Sequence, residues 1–215
     1  FSVMAKLYFF GDSYTYGTCL CDDATFNIKP SELAYPSLVG RHLNMEVENC
    51  AMGGIGNKEI FHRITHFHSA FQPDDIVVVM WTCAQRAMFL NSSEPNGIRA
   101  VNYHEEDPVK SDWMQTYYKY FGSNENAIFE TSVYIALTNY YINEQIGNRI
   151  LNFCTPLFGE QANGEVLSEW ANVEVTPAFI SPSICVDQTP CGHEGPQTHK
   201  KFAKHLSRIL VDKLN

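Results

Sequence analysis

Basic charge is scarce in this chain. Fifteen lysines and arginines stand against 24 aspartates and glutamates, a formal net charge of −9 over 215 residues. A nucleic-acid binder carries a basic patch or stripe that neutralises phosphates, so the balance argues against that class. Long apolar runs are missing too: none approaches the ~18 residues that mark a membrane-spanning helix. The first residues lack the charged, apolar and small-residue sections of a signal peptide. There is no internal repeat, no low-complexity tract and no linker-like stretch. Neither G-x-G-x-x-G nor Gly-Lys-Ser/Thr occurs, so Gly53, Gly54 and Gly56 do not form a nucleotide loop.

Cysteine is present without a framework. The seven cysteines, at 19, 21, 50, 83, 154, 185 and 191, are odd in number and lack the dense regular spacing of a secreted scaffold. Cys50, Cys83 and Cys154 adjoin apolar runs, as small buried thiols do. The expectation is a reduced cytoplasmic chain, with an oxidised pair such as Cys185–Cys191 as the alternative. Met4-Ala5-Lys6 reads as a native start, which would make Phe1-Ser2-Val3 an added remnant.

What remains is a folded domain. Hydrophobic residues make up 45% and charged ones 18%, which excludes a disordered chain. A chain of this length buries roughly 70% of its unfolded surface, so one domain over residues 1–215 needs no metal or disulfide to hold its core. Lys6–Phe10 is a short apolar run stopped by Gly11-Asp12, a buried strand and its turn. Leu33, Tyr35, Leu38, Val39 and Leu43 follow at helical spacing. Met45–Cys50 reads as a strand, and Asn57 as the cap of a helix from Lys58 to Phe71. Ile76–Trp81 is a continuous Val-rich run of the kind that fills a central parallel strand. Residues 91–110 read as loop, 113–145 as helix interrupted at Gly122-Ser123-Asn124, and Arg149–Cys154 as strand. Gly159–Ser168 reads as loop, with weak strand character near Phe179, and Gln197–Leu214 as the last helix. Strand and helix alternate, which predicts a layered α/β sheet with helices on both sides.

The most informative segment is Phe10-Gly11-Asp12-Ser13-Tyr14. A serine directly after an apolar strand, on a turn that opens a helix, lies at the C-terminal edge of the sheet, where open α/β folds place their sites. Ser13 there can supply both a hydroxyl nucleophile and a backbone oxyanion donor. Taken alone, the tripeptide is common and reads first as a helix cap. Near the other end, His193 stands in Cys191-Gly192-His193-Glu194-Gly195-Pro196-Gln197-Thr198-His199 before the last helix. An imidazole in a loop suits proton transfer near neutral pH.

Together these blocks resemble the SGNH, or GDSL-type, hydrolase family: Gly-Asp-Ser after the first strand, a glycine turn after the second, and a late His before the terminal helix. The likeness covers the chain from Tyr8 to Ala203 and, more narrowly, is similar to small esterase-like members, some of them encoded by bacterial viruses. It implies a flavodoxin-like α/β/α three-layer fold around a mostly parallel five-stranded sheet. It also implies a serine esterase or acylhydrolase without cofactor or metal, acting on a small-molecule or glycan ester. A viral member would work in the virion or the host cytoplasm. Ser13 would be the nucleophile, His193 the general base, and the N–H groups of Ser13 and Gly54 the oxyanion donors.

Two positions depart from the family pattern. Cys83 stands where an oxyanion Asn is expected, and a thiol is a poor donor; Thr82, Gln85 or Asn57 would have to substitute. Pro190 stands where an acid is expected, three residues before His193. Asp187 is then the nearest acid, provided the Thr189-Pro190 turn folds back. Otherwise a backbone carbonyl orients His193 in a Ser–His dyad, and Glu194 is expected to point away. The departures keep a second function open: a catalytically weak or non-catalytic binding module on the same fold. Weaker constellations complete the reading. His62 and His66 share a helix face, with His68 nearby, but lack H-E-x-x-H. Cys19 and Cys21 have no second pair at finger-like spacing. The Tyr117-Tyr118-Tyr120-Phe121 cluster reads as packing or as lining for a substrate.

Overall fold

Apolar side chains on alternate faces are what make the chain's strands into a two-sided wall. The computed structural model describes residues 5–22, 29–84, 86–90, 98–101, 116–117, 119–120, 122–147, 149–154, 164–177 and 186–214. β1 (Lys6–Phe10) has β2 (Glu46–Asn49) on one side and β3 (Ile76–Trp81) on the other, both parallel. The antiparallel pair β4 (Ala87–Leu90) and β5 (Ile98–Val101) stands apart. β6 (Ile150–Cys154) and β7 (Val175–Pro177) complete a five-stranded sheet in the order β2-β1-β3-β6-β7. β3 is buried at all six positions, because a central parallel strand is covered on both faces.

Successive side chains of a strand point to opposite faces, so the sheet has two cores. Tyr8, Phe10, Val77, Val79 and Trp81 face a layer holding Ile60, Ile64, Ile135 and Ile142. That layer is built from α3 (Asn57–Phe67) and α4 (Asn124–Ile146), with α5 (Gly164–Ala171) beside them. Leu7, Phe9, Ile76, Val78 and Met80 face Tyr35, Val39, Phe202, Leu206 and Leu210. Those come from α2 (Tyr35–Leu43) and α6 (Pro196–Leu214). Between them, α1 (Ser13–Tyr16) is a single turn after β1. The three-layer parallel arrangement read from the sequence is the arrangement found. Among the described residues, no helix is long and apolar enough to cross a membrane.

Three expectations are corrected. The loop over residues 91–110 contains β5, whose partner β4 precedes it; a four-residue strand without alternating pattern carries no periodic signal. The loop over Gly159–Ser168 already contains the first turn of α5. The cysteines are not all reduced: Cys19 and Cys191 form a disulfide across a separation of 172 residues. Cys185 and Phe179 lie outside the described residues. Cys50, Cys83 and Cys154 are free and buried, as expected. Burial raises the thiol of Cys50 to about 12 and that of Cys154 to about 11.

Gly40 shows how tightly α2 lies on the sheet edge. A Cβ there would collide with the Val47 side chain of β2 and come within 3.0 Å of the Met45 carbonyl oxygen. Gly40→Ala is therefore expected to lower stability by about 1–3 kcal/mol through overpacking, despite the better helix propensity of Ala. Thermal unfolding checks this; an unchanged or higher Tm would show that the contact yields without cost.

Candidate active site

The turn after β1 is built by its own residues. Asp12 caps α1, its Oδ1 accepting from Tyr14 N at 3.1 Å, and Gly17 closes the turn in the left-handed region at φ 83°. Gly11 has no room for a Cβ, which would collide with the Thr15 side chain. Ser13 is thereby held at the C-terminal edge of the sheet. Among the described residues its hydroxyl makes no hydrogen bond.

Beneath it lies a buried carboxylate. Asp12 is fully inaccessible, and its Oδ2 accepts from Thr82 Oγ1 at 2.5 Å and from Arg86 Nη1 at 2.8 Å. Thr82 follows the last residue of β3 and Arg86 comes four residues later, so this network ties the ends of two adjacent strands together. Arg86 escaped the sequence reading. The available signal was a lone cation just past a fully apolar strand, beside a position already marked for oxyanion chemistry.

His193 comes from a tight hairpin. Gln188 and Glu194 form an antiparallel bridge, Thr189 N donates to the His193 carbonyl at 2.7 Å, and Gly195 N donates to the Asp187 carbonyl at 2.9 Å. Gly192 turns the chain at φ 86°. This fold-back lays the His193 ring 5.3 Å from the Tyr14 ring, next to the Ser13 turn. The disulfide anchors it there, joining Cys191 in the hairpin to Cys19 just after α1. Partial burial lowers the His193 pKa. The Asp12 charge opposes that shift and the Arg86 charge adds to it. Its Nδ1 lies 3.2 Å from Cys191 Sγ.

Asp187 is not brought to His193. The turn does fold back, but its carboxylate is taken by the start of α6: Oδ2 accepts from Gln197 N at 3.0 Å, and Oδ1 from Thr198 N at 2.7 Å and Thr198 Oγ1 at 2.8 Å. Burial pushes its pKa up, but these hydrogen bonds outweigh that and the net shift is downward. Glu194, expected to point away from His193, makes no hydrogen bond to it among the described residues; it is buried, and its Oε2 has no hydrogen-bond partner. Burial, with Asp12 adding to it against the residue's own backbone N–H, raises its pKa to about 7. His199 is buried too, accepting from Tyr35 N at 3.1 Å, and burial lowers its pKa to about 4.

The expected oxyanion donors divide. Gly54 sits at φ 78°, a conformation that favours glycine, with no atom within 4 Å of where a Cβ would be. Asn57 does not cap α3; it lies inside the helix and turns inward. Its Nδ2 donates to the Thr82 carbonyl and to Thr131 Oγ1, both at 3.0 Å, while its Oδ1 accepts from Thr82 N at 2.8 Å. Thr82 is equally occupied, its N–H by Asn57 and its hydroxyl by Asp12. Neither side chain is free to bind an oxyanion. Cys83 is buried, and Gln85 lies outside the described residues.

The histidine pair on α3 is also dispersed: His62 Nδ1 faces Glu59 at 4.0 Å, and the His66 ring lies on Phe67. Among the described residues, the group with atoms close enough to share a metal is Cys19, Cys191 and His193, all within 4.8 Å. With its two sulfurs bonded to each other, that group offers no thiolate. Of the tyrosine cluster, Tyr117 is half-buried and Tyr120 exposed, while Tyr118 and Phe121 lie outside the described residues.

No family model and no curated protein matches the chain. Solved structures do. An acetyl xylan esterase from the rumen bacterium Butyrivibrio proteoclasticus superposes with a TM-score of 0.58 at 17% identity, covering 100% of this chain and 66% of that one. A protein described as lipolytic and of the G-D-S-L family, from Desulfitobacterium hafniense, gives 0.52 at 13% identity, covering 95% and 99%. A carbohydrate esterase, whose active site is said to display divergent catalytic and non-catalytic binding functions, gives 0.56 at 13%, covering 97% and 65%. The chain thus spans just under two thirds of the two carbohydrate-active structures. At these identities the likeness is one of fold, and the fold is that of the SGNH hydrolases.

The buried acid and the buried histidine pull stability in opposite directions with pH. Glu194 holds its proton to about pH 7 when folded, against a reference of 4.5. The stability it contributes is complete below pH 4.5 and is lost as pH rises through 7. His199, lowered from 6.5 to about 4, contributes stability above 6.5 that is lost as pH falls toward 4. Glu194→Gln, a neutral isostere, is therefore expected to match the parent Tm at pH 4.5 and exceed it by a few degrees at pH 8. An equal or lower Tm at pH 8 would place an ionised, solvated carboxylate there. Asp187→Ala, which removes a helix cap, is expected to cost about 1–2 kcal/mol of stability while leaving the titration of His193 in place.

Proposed function

We propose that this chain is a serine ester hydrolase in which Ser13 forms an acyl-enzyme and His193 is the general base. The observation that carries the reading is the seating of the His193 hairpin on the Ser13 turn, with His193 packed on Tyr14 and Cys191 bonded to Cys19. This brings the His193 hairpin beside the turn that carries Ser13, at the sheet edge where this fold class places its sites, which supports the pairing of a nucleophile and a base from opposite ends of the chain.

In this mechanism His193 Nε2 takes the Ser13 proton as Oγ attacks the ester carbonyl. The negative charge that develops on the carbonyl oxygen is met by the backbone N–H groups of Ser13 and Gly54. The His193 cation then protonates the departing alcohol, and a water activated by the same imidazole hydrolyses the acyl-enzyme. A hole of two backbone donors, without a side-chain donor, forgoes on the order of 10²–10³ in rate. The chemistry asks for no cofactor or metal.

The substrate class proposed is a small or glycan-linked acyl ester, supported by the carbohydrate-active neighbours. Residues 1–215 act as one domain in this reading. The cytoplasmic setting expected from the sequence sits poorly with the Cys19–Cys191 bond, which favours oxidising surroundings. A binding module on the same fold is the second reading, and the lack of a carboxylate at His193 Nδ1 among the described residues favours it.

Hydrolysis of p-nitrophenyl acetate separates the two. Ser13→Ala and His193→Ala are each expected to lower kcat by about 10³-fold or more. Because the pKa of His193 is depressed, kcat/KM should be flat at neutral pH and fall only on an acid limb below pH 6.5. Turnover that survives Ser13→Ala, or its absence from the parent chain, would overturn the hydrolase reading.

A further inference from the structure

A neutral imidazole carries one proton, and the group facing one nitrogen decides whether the other is free to act as a base. For His193 to take a proton at Nε2, an acceptor must hold the proton on Nδ1. Among the described residues no acid bonds to the ring. Glu194, next in the chain, is buried with its Oε2 unpartnered but makes no hydrogen bond to His193, and the other two nearby acids are engaged elsewhere. Asp187 caps α6, and Asp12 is held by Tyr14, Thr82 and Arg86. What does face Nδ1, at 3.2 Å, is the sulfur of Cys191. Thr189 Oγ1 lies equally close to that sulfur, but has the His193 carbonyl at 3.0 Å for its own proton.

We propose that the Cys19–Cys191 disulfide is a positioning element of the site: Cys191 Sγ accepts from His193 Nδ1–H, fixes the tautomer that leaves Nε2 free, and makes hydrolysis depend on the oxidised state. The inference rests on the ester-hydrolase reading above. Its chemical core is that a disulfide sulfur has no proton to give, so it can only accept. A thiol can also donate. Once Cys191 is a thiol, its S–H can bond to Nδ1, which moves the imidazole proton to Nε2 and blocks the base. The reaction that does this is reduction by a dithiol. One thiolate attacks a sulfur of the pair, the S–S bond breaks, and the second thiol resolves the mixed disulfide. Two electrons and two protons pass to Cys19 and Cys191, and the reductant leaves as its cyclic disulfide. Access is not in doubt, since Cys191 is exposed.

The crosslink also tethers the hairpin, so the test must separate orientation from tethering. The readouts are kcat and KM for p-nitrophenyl acetate, with and without dithiothreitol, and the His193 tautomer by nitrogen-15 NMR. In the parent chain, reduction is expected to lower kcat about tenfold or more at neutral pH with KM little changed, and reoxidation to restore it. The His193 proton should move from Nδ1 to Nε2 on reduction. Cys19→Ser with Cys191→Ala should be slow under both conditions. Cys19→Ser with Cys191→Asp has no crosslink but a carboxylate acceptor, and should recover the oxidised rate and ignore dithiothreitol. If the Asp variant is as slow as the Ala variant while both keep the parent's circular dichroism, the bond is a tether and the proposal falls. It falls equally if the tautomer is unchanged on reduction. If no form of the chain cleaves the ester, the hydrolase reading fails, and the tautomer measurement still decides whether the sulfur orients the ring.

Discussion

A carboxylate with no access to water must be neutralised where it stands, and Asp12 is such a group at the edge of the sheet. Its oxygens are met by one backbone N–H from the turn it starts and by one hydroxyl and one guanidinium from the segment that follows β3. Leaving a buried charge without its partner costs about 3–5 kcal/mol, so these three positions are not independent. Tyr14 lies in the first turn of α1, Thr82 directly follows β3, and Arg86 directly precedes β4. The ion pair therefore fixes where Ser13 sits relative to the central strand. Its charges also act outward: Asp12 favours protonated His193 and Arg86 opposes it, so the base feels a near-neutral pair while burial sets its net shift. Glu194 holds its proton chiefly because it is buried, and the same Asp12 charge adds to that effect.

The site's two halves lie at opposite ends of the sequence because of the strand order. β1 is an inner strand, so the turn after it opens beside β3 and not at the sheet's rim. α6 packs on the same sheet face as α2, and the hairpin that precedes it arrives over that turn. Asp187 and Thr198 make the arrival specific by locking the hairpin to the first turn of α6. Gly195 is required there, since any Cβ would run into the Asp187 carboxylate. An acid placed to hold the hairpin in this way cannot also reach across it to the imidazole.

How much of this was legible in the sequence follows from how local each cause is. β1, β3 and β6 are runs of apolar residues whose burial is written into their composition, and Ile76–Trp81 came out residue for residue. The last helix has an apolar phase that needs no partner to be seen. The Gly11-Asp12-Ser13 turn was visible because a strand, a glycine and a cap coincide there. The roles of Asn57 and Thr82 were not visible. Both are polar residues near a glycine turn or a strand end, and only the third dimension shows each consuming the other's hydrogen bonds. Arg86 and the Cys19–Cys191 pair were hidden for the same reason. Their partners are 74 and 172 residues away, beyond the reach of any spacing rule.

Three polar side chains singled out as candidates for the site are thus occupied in holding the structure together. Asn57 joins α3, β3 and α4, Thr82 completes the shell of Asp12, and Asp187 anchors the hairpin. In the proposed mechanism this leaves the backbone and a sulfur for chemistry: the N–H groups of Ser13 and Gly54 for an oxyanion, and Cys191 for the imidazole. Backbone donors are fixed in place and need no reorganisation as charge develops, which suits an oxyanion hole. A neutral sulfur is different from a carboxylate, because it can set a tautomer but does little to stabilise the cation that follows. In the proposed mechanism, this arrangement suits reactions whose barrier lies in nucleophilic attack on a reactive ester better than those that need a strongly stabilised imidazolium to expel a poor leaving group.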